Sequence, residues 1–302
     1  MITKRQLLKW DEDQKKLFRF MNLPSPYKRP KAIHLPKTDA YKILSISDPH
    51  EQYSNRIVLD HCYEHEATAE TLIVPGDLGD YYSKSRFKKV RYVKFEDELR
   101  AVFKRIEWMA NRWKTVKIMI GNHDNRPEKH ITELMQKDSM DALLMTESNM
   151  LERLAAYFDN VEIVGTQLDD TDINLTHIYQ HGDIIFTHGE ISLKQNTAVL
   201  ERVQNYLDQW AELLQLKPFN VLAQAHNHRD SNDTVGKRKC FLLPTASNPF
   251  SIGFEYVYSS RMIGTPPQIG YSLFYQEHGL TDINRSHNII FKVRNGKTQP
   301  LY

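Results

Sequence analysis

Short apolar runs and longer amphipathic stretches alternate along the first half of the chain. The run from Leu72 to Val74 is apolar and mostly β-branched, as in a strand buried on both faces, and Pro75-Gly76 ends it. The same pattern predicts a strand at 42–48, a helix at about 53–70, a helix at about 95–112 and a strand at 116–120. This alternation favours an α/β fold with parallel strands.

Short strands predominate from residue 161 onward, interrupted by one helix at about 198–216. The predicted strand segments are 161–165, 173–180, 183–190, 219–228, 240–246, 270–276 and 288–293. The pair Gly182-Asp183 predicts a hairpin between the second and third of these. The second half is therefore expected to consist mainly of β-structure.

The N-terminal segment differs from the rest of the chain. Residues 3–21 show the periodicity of an amphipathic helix, and residues 23–31 are rich in proline and basic side chains, as in an extended connector. We therefore divide the chain into a basic helical extension, residues 1–40, and one domain, residues 41–302.

The overall composition is that of a globular protein. The chain has 302 residues, enough for one large domain. It has no apolar run of about 18 residues and no short apolar segment at its N-terminus, so we expect a cytoplasmic protein without a membrane span or secretory signal. Cys62 and Cys240 are too few for a disulfide framework and are expected to be buried thiols.

Charge is unevenly distributed, although the net charge is only +2. Residues 1–42 hold eleven Lys and Arg against four Asp and Glu, and residues 84–117 hold twelve against four. A basic surface for a polyanion beside an acidic metal site would give this asymmetry. Two solvated helix faces would also give it, and charge counts alone favour that simpler interpretation.

Side chains that bind metals follow most of the predicted strands. Asp48 and His50 come after the first strand, and in an extended chain two such residues point to the same side, as a chelating pair requires. The other candidates are Asp77, Asp80, Asn122, His123, Asp124, His188, His226 and His228. Ligands bind at the carboxyl edge of α/β sheets, so a site is expected there.

The remaining histidines lack such a context. His61 and His65 are four residues apart in a predicted helix, but Cys62 stands where the motif H-E-x-x-H requires Glu. We interpret this pair as packing or surface residues, and His177 as structural or solvent-facing.

The blocks D-x-H, G-D-x-x-D, G-N-H-D, H and H-x-H, each at a strand end, resemble the motifs of the calcineurin-like metallophosphoesterase superfamily. The resemblance covers residues 42–240. It implies a four-layer αββα sandwich of two mixed sheets flanked by helices, to which the N-terminal helical extension is added.

The resemblance also implies two divalent metal ions. One would be bound by Asp48, His50, Asp77 and His228, and the other by Asp77, Asn122, His188 and His226, so that Asp77 bridges them. Oxygen and nitrogen donors suit manganese, iron or zinc. Manganese is the expected ion, with iron or zinc as alternatives.

This ligand set implies hydrolysis of phosphoesters. Two cations about 3.5–4 Å apart bind phosphoryl oxygens and lower the pKa of a bound water, so that a metal-bound hydroxide attacks phosphorus. His123 resembles the family's general acid, whose imidazolium would stabilise developing charge. Asp80 resembles its carboxylate partner, which would orient His123 and favour its charged form. Asp124 is expected to support the loop.

Departures from the family pattern narrow the substrate. Protein phosphatases of the superfamily carry Arg after the second Asp of the G-D block and Arg-Gly before N-H-E, whereas this chain has Tyr81 and Ile120-Gly121. Ala225 stands where Gly is usual. The motif forms resemble more closely the Mre11/SbcD-type nuclease and phosphodiesterase branches.

A basic, aromatic segment follows the second carboxylate. Its cations are Lys84, Arg86, Lys88, Lys89, Arg91 and Lys94. Cations bind phosphates and aromatic rings stack on unpaired bases, so we predict a nuclease that uses the first five of these cations. A solvated helix start, paired with the acidic residues at 96–98, is the simpler explanation.

Two other functions stay open at this stage. The chain could be a phosphomonoesterase, or a phosphodiesterase for small cyclic nucleotides or dinucleotides. It could also be a scaffold subunit without turnover, but such a subunit is expected to lose ligands, and none is lost here.

Overall fold

The computed structural model describes residues 40–86, 89, 92–135, 150–167, 174–189, 195–248, 267–294 and 297–301. The predicted helix at 3–21 and the connector after it lie outside these ranges, and so do Lys88 and Arg91. The division at residue 40 therefore stays a prediction. None of the described helices has the length and hydrophobicity that a bilayer crossing requires.

Strands and helices alternate in the first half, as the apolar pattern predicts. The elements are β1 (Tyr41–Ser45), α1 (Arg56–His65), β2 (Thr71–Pro75), α2 (Phe95–Ala110), β3 (Thr115–Met119), α3 (Arg126–Met135), α4 (Met150–Ala155) and β4 (Val161–Ile163). A short 3₁₀ turn, Tyr82–Lys84, follows β2.

Short strands dominate the second half. They are β5 (Thr166–Gln167), β6 (Asn174–Leu175), β7 (Ile178–His181), β8 (Ile184–Thr187), β9 (Val221–Gln224), β10 (Ser231–Val235) and β11 (Arg238–Leu242), with α5 (Asn196–Trp210) between β8 and β9. The last strands are β12 (Ile269–Glu277), β13 (Leu280–Thr281), β14 (His287–Arg294) and β15 (Lys297–Leu301).

Several predicted boundaries were wrong. The first helix is shorter than 53–70 because the Asn55 side chain accepts the N–H groups of Ile57 and Val58 and so caps its start. The strand predicted at 173–180 is two strands, β6 and β7, separated by a turn. The hairpin at Gly182-Asp183 is confirmed, since β7 and β8 pair antiparallel around it.

Two mixed sheets result. The first has the order β15-β14-β12-β1-β2-β3-β4, with β13 paired to β12, and the second has the order β10-β11-β9-β8-β7. Within them β1 to β4 run parallel, and so do β8, β9 and β11. Strands β12 to β15, which follow residue 247, complete the first sheet beside β1.

Alternate side chains of the central strands point to different layers. Ile43 and Ile73 pack between the two sheets, against Phe186 and Phe241 of the second sheet. Residues one step along, such as Leu72, pack on the opposite face against α1 and α2. The other face of the second sheet packs on α5. The predicted αββα sandwich is therefore confirmed.

Candidate metal centre

The seven predicted metal ligands come together at one edge of the sandwich. They follow the C-terminal ends of β1, β2 and β3 in the first sheet and of β8 and β9 in the second. Because the strands of each set are parallel neighbours, their ends meet at the same edge. The two packed sheets thus bring residues more than a hundred positions apart into contact.

The backbone at these residues is not extended, contrary to the sequence argument. Asp48, His50, Asp77, His226 and His228 have φ values of 47°, 47°, 51°, 73° and 52°. This left-handed region is costly for residues with a Cβ, and such conformations concentrate at functional sites. The chain turns sharply at each strand end, so residues two apart need not face the same way.

Three groups of side chains could each hold a metal ion, of which His50, Asp80 and His123 form one that shares His50 with another. The other two groups fall within the ligand sets that the family resemblance implies. Asp48, His50 and His228 form one, and Asp77, His188 and His226 form the other. Within each group the possible ligand atoms lie within 4.8 Å of one another. His226 and His228, although only two residues apart, belong to different groups, as the family resemblance implies.

Asp77 occupies the place of a shared ligand. Its Oδ2 lies 3.3 Å from Nε2 of His188, in its own group, and 3.7 Å from Nε2 of His50, in the other. Asn122, the seventh predicted ligand, places Oδ1 3.1 Å from Nε2 of His188. One carboxylate therefore faces both groups.

The donor atoms fit divalent cations. Two buried carboxylate oxygens, Asp48 Oδ1 and Asp77 Oδ2, have no hydrogen-bond partner in the described part of the chain. The Nε2 atoms of His50 and His228 face each other at 3.3 Å. Buried oxygens without donors and converging imidazole nitrogens are explained by a cation between them.

Neighbouring hydrogen bonds orient the ligand rings. Nδ1 of His188 donates to the carbonyl oxygen of Pro75 at 2.7 Å, and Nδ1 of His50 lies 3.1 Å from Oδ1 of Asp80. Because Nδ1 is engaged in each ring, Nε2 is the atom that turns toward the centre. Such contacts are the usual support of metal-binding histidines.

Buried carboxylates and imidazoles in the centre shift one another's pKa values. Burial opposes ionisation, yet the imidazoles of His188 and His123 hold the pKa of Asp77 well below its usual range. Asp77 and Asp48 in turn outweigh burial and raise the pKa of His188 to about 10. Burial, together with His188, lowers the pKa of His226 to about 4. A field that draws a proton to His188 also favours a metal cation.

His123 and Asp80 form a pair beside the ligands. Nδ1 of His123 lies 2.9 Å from Oδ1 of Asp80, as the predicted orienting role requires. The predicted effect on charge differs, however. Burial, with added repulsion from Arg126 and His50, lowers the pKa of His123, although Asp80 and Asp77 act in the opposite direction. Desolvation exceeds the attraction of the carboxylates here.

Arg126 belongs to this pair and was missed in the sequence. Its Nη2 lies 2.9 Å from Nε2 of His123, and its Nη1 donates to the main-chain oxygen of Asp80 at 2.7 Å. The Arg126 side chain is 12% exposed. The sequence could have indicated Arg126, because it is the first residue of α3 and follows His123 by three residues, about one helical turn. It supplies a cation although Tyr81 stands at the family's Arg position.

Asp124 supports the loops, as expected. Its carboxylate accepts the backbone N–H groups of Leu78, Gly79 and Gly121 at 3.2, 2.9 and 2.9 Å. Burial and the nearby Asp77 raise its pKa to about 7. It therefore ties the loop after β2 to the loop after β3.

The predicted substrate-binding cations are only partly described. Lys84 lies over the ring of Phe95 at 4.7 Å, and the Lys89 ammonium donates to the carbonyl oxygen of Ser83. Arg86 is exposed. These residues lie on the protein surface a few residues after Asp80, which leaves both predicted explanations of the segment open.

Comparison with known proteins agrees with this architecture. A family model described as calcineurin-like phosphoesterase matches residues 41–247. No curated protein gave a significant match.

Solved structures with a similar arrangement share little sequence with the chain. Vacuolar protein sorting 29 from Cryptosporidium parvum is 14% identical, with a TM-score of 0.42 over 87% of this chain and 96% of that one. Vps29 from Entamoeba histolytica complexed with zinc is 13% identical, with a TM-score of 0.37 over 86% and 97%. A predicted phosphoesterase from Streptococcus pneumoniae is 13% identical, with a TM-score of 0.33 over 88% and 99%.

Proposed function

The chain belongs to the calcineurin-like phosphoesterase family, and we propose that it hydrolyses phosphodiester bonds with two divalent cations, acting on nucleic acid. Membership supports metal-dependent phosphoester hydrolysis. Two narrower parts of the proposal, that the bond is a phosphodiester and that the substrate is nucleic acid, rest on the site and its surroundings.

One observation carries the proposal. Two groups of ligand side chains, Asp48 with its histidines and Asp77 with its histidines, lie side by side with Asp77 facing both. A scaffold protein has no need of two complete groups of buried, desolvated carboxylates and imidazoles. Their cost is explained by metal binding and turnover.

Each side chain then has a chemical task. When bound, two divalent cations would neutralise phosphoryl oxygens and activate water for attack at neutral pH, and manganese, iron and zinc all suit these donors. His123, whose pKa burial lowers, would have to take up a proton at Nε2, where Arg126 now donates, before it gives that proton to the leaving oxygen, while Asp80 holds its ring in place. Arg126, whose guanidinium reaches Nε2 of His123, is placed to bind a phosphoryl oxygen.

The basic segment after Asp80 supports the choice of a polyanionic substrate, although Arg100, Arg105 and Lys117 pair with carboxylates of the protein itself. Residues 84–117 carry twelve Lys and Arg against four Asp and Glu, and the segment begins four residues after Asp80. Lys84, Arg86 and Lys89 could contact phosphates beyond the one that is cleaved. A phosphomonoester would not need such cations.

The experiment uses the full chain, stripped of metal and refilled with Mn²⁺. Bis-p-nitrophenyl phosphate, p-nitrophenyl phosphate and end-labelled single-stranded and duplex DNA and RNA are assayed in parallel. We expect the wild type to cleave the diester and nucleic acid and to hold about two Mn²⁺ per chain by elemental analysis. Asp77→Asn should lose the activity and the bound Mn²⁺. Asp60→Asn, a surface carboxylate paired with Arg56, is the matched control.

Two results would change the conclusion. Activity on p-nitrophenyl phosphate alone would identify a phosphomonoesterase. Undiminished hydrolysis by Asp77→Asn, or by the metal-free protein, would overturn the two-metal assignment.

A further inference from the structure

A cavity of about 320 Å³ adjoins the metal centre. Asn122 and His188 line it on the side of the metal ligands, and Val203, Tyr206 and Leu207 of helix α5 line it on another side. Its volume lies at the lower end of the range for small-molecule sites, about 300–1,000 Å³. The cavity is therefore large enough for one compact organic group but too small for several linked nucleotides.

The walls of the cavity suit an aromatic ring. Val203 and Leu207 are buried and apolar, and Ile178 lies beside them. Tyr206 is 41% exposed, so its ring lies where the cavity meets solvent. His177, which the sequence predicts to be structural or solvent-facing, also lines the cavity. Apolar walls with a few polar groups and an aromatic ring at the opening are typical of sites that bind flat heterocycles.

The cavity and the basic segment adjoin different residues of the metal centre. The cavity touches Asn122 and His188, whereas the basic residues follow Asp80, which contacts His50 and His123. A diester has two organic groups, one on the leaving oxygen and one that stays on the phosphate. Asn125, which also lines the cavity, lies two residues after His123. Because His123 would protonate the leaving oxygen and pairs with Asp80, we assign the leaving group to the side of the basic segment and the other organic group to the cavity.

We infer that this cavity binds the nucleoside that remains attached to the phosphate after cleavage. The inference rests on the proposed function and adds to it the identity of the product. Water oxygen forms the new bond to phosphorus and releases one proton to solvent, the bond from phosphorus to the leaving oxygen breaks, and protonated His123 supplies the proton to that oxygen and is reprotonated from solvent. With one nucleoside in the cavity and the remaining chain on the basic segment, the protein removes mononucleotides from a strand end.

The test compares esters that share one leaving group. The p-nitrophenyl esters of thymidine 5′-phosphate and thymidine 3′-phosphate are measured against methyl p-nitrophenyl phosphate with the Mn²⁺-loaded protein. We expect kcat/KM to be at least about tenfold higher for one thymidine ester, which also shows from which end the strand is attacked. Tyr206→Ala should lower this ratio about tenfold, the effect of one lost stacking contact, and Tyr206→Phe should keep it.

Tyr157→Ala is the matched control, because Tyr157 is an aromatic residue, 73% exposed, that is not among the described residues lining the cavity. Trp210 does not serve, since its ring packs against that of Tyr206. Calorimetry gives a second readout. The thymidine monophosphate that corresponds to the favoured ester should bind more tightly than methyl phosphate to the wild type and to Tyr157→Ala, and this preference should fall in Tyr206→Ala.

Failure of the inference differs from failure of the proposed function. Equal hydrolysis of all three esters, or a ratio that Tyr206→Ala leaves unchanged, would overturn the cavity's role and leave the phosphodiesterase intact. First products from the interior of an end-labelled oligonucleotide would do the same. Hydrolysis of none of the three esters would overturn the proposed function and the inference with it.

Discussion

Oδ1 of Asp80 lies 2.9 Å from Nδ1 of His123. The same oxygen lies 3.1 Å from Nδ1 of His50, a proposed metal ligand. Both rings are buried around this single carboxylate, so Asp80 orients a metal ligand and the proposed proton donor at once. A change at Asp80 should therefore disturb metal binding and proton transfer together, whereas a change at His123 should disturb only proton transfer.

Removal of the proton donor should depend on the leaving group. We expect His123→Ala to lower kcat on a dinucleotide about 10²- to 10⁴-fold, and to have much less effect on bis-p-nitrophenyl phosphate, whose leaving group needs no proton. Manganese content should stay at the wild-type value. Asp80→Asn should reduce both activity and manganese content. If His123→Ala lowered kcat equally on the dinucleotide and on bis-p-nitrophenyl phosphate, His123 would not be the general acid.

Gly76 leaves room for a metal ligand. It has φ +90°, and a Cβ there would lie 2.5 Å from Nδ1 of His188 and 2.9 Å from the backbone of Gly121. Gly76→Ala should therefore displace His188, reduce the manganese content and destabilise the fold by about 1–3 kcal/mol beyond the backbone cost. Gly279→Ala is the matched control, since its φ is +78° and a Cβ there meets nothing within 4 Å.

Both Gly variants share the cost of a left-handed backbone, so their difference isolates the collision with His188. Urea unfolding and elemental analysis measure it. If Gly279→Ala lost as much metal as Gly76→Ala, the explanation by displacement would be wrong.

Glu98 should make stability depend on pH. Its carboxylate accepts the N–H of Ser83 at 3.1 Å, but burial raises its pKa to about 7. The folded protein therefore holds a proton that the unfolded chain loses near pH 4.5, so this group's contribution falls as pH rises from about 4.5 to 7. Glu98→Gln should raise the free energy of unfolding at pH 8 by on the order of 1–2 kcal/mol.

The gain from Glu98→Gln should shrink at pH 5, where the folded wild type keeps the proton. Glu96→Gln, which changes an exposed carboxylate paired with Arg100 on the same helix, is the control and should show no such gain. Urea titrations at both pH values measure the difference. A gain of equal size at pH 5 and pH 8 would contradict the raised pKa.

The basic segment should contribute a salt-dependent part of nucleic-acid affinity. In the metal-free protein, in which we expect no cleavage, replacing Arg86 and Lys89 by Ala should reduce the slope of log K against log salt by about 1.4 for single strands, or about 0.7 per cation. Fluorescence anisotropy measures this slope. Lys237→Ala, in the turn between β10 and β11, is the control. An unchanged slope would show that the segment is a solvated surface that does not bind nucleic acid.

The sequence by itself determined which side chains the site contains and where the buried core strands lie along the chain. A strand buried on both faces must be apolar, and Leu72 to Val74 shows this directly, so the strand and its end could be located from local pattern alone. The polar residues that follow each such strand, among them Asp77 and His188, were found in the same way. The αββα layers followed from their family resemblance.

Only the tertiary structure decided how these residues meet. Nδ1 of His188 bonds to the carbonyl of Pro75, 113 positions earlier, and this contact exists only because the two sheets pack together. The left-handed backbone at Asp77, the guanidinium of Arg126 beside His123 and the cavity under α5 likewise depend on distant segments. Local sequence records neighbours along the chain, whereas these features arise from long-range packing.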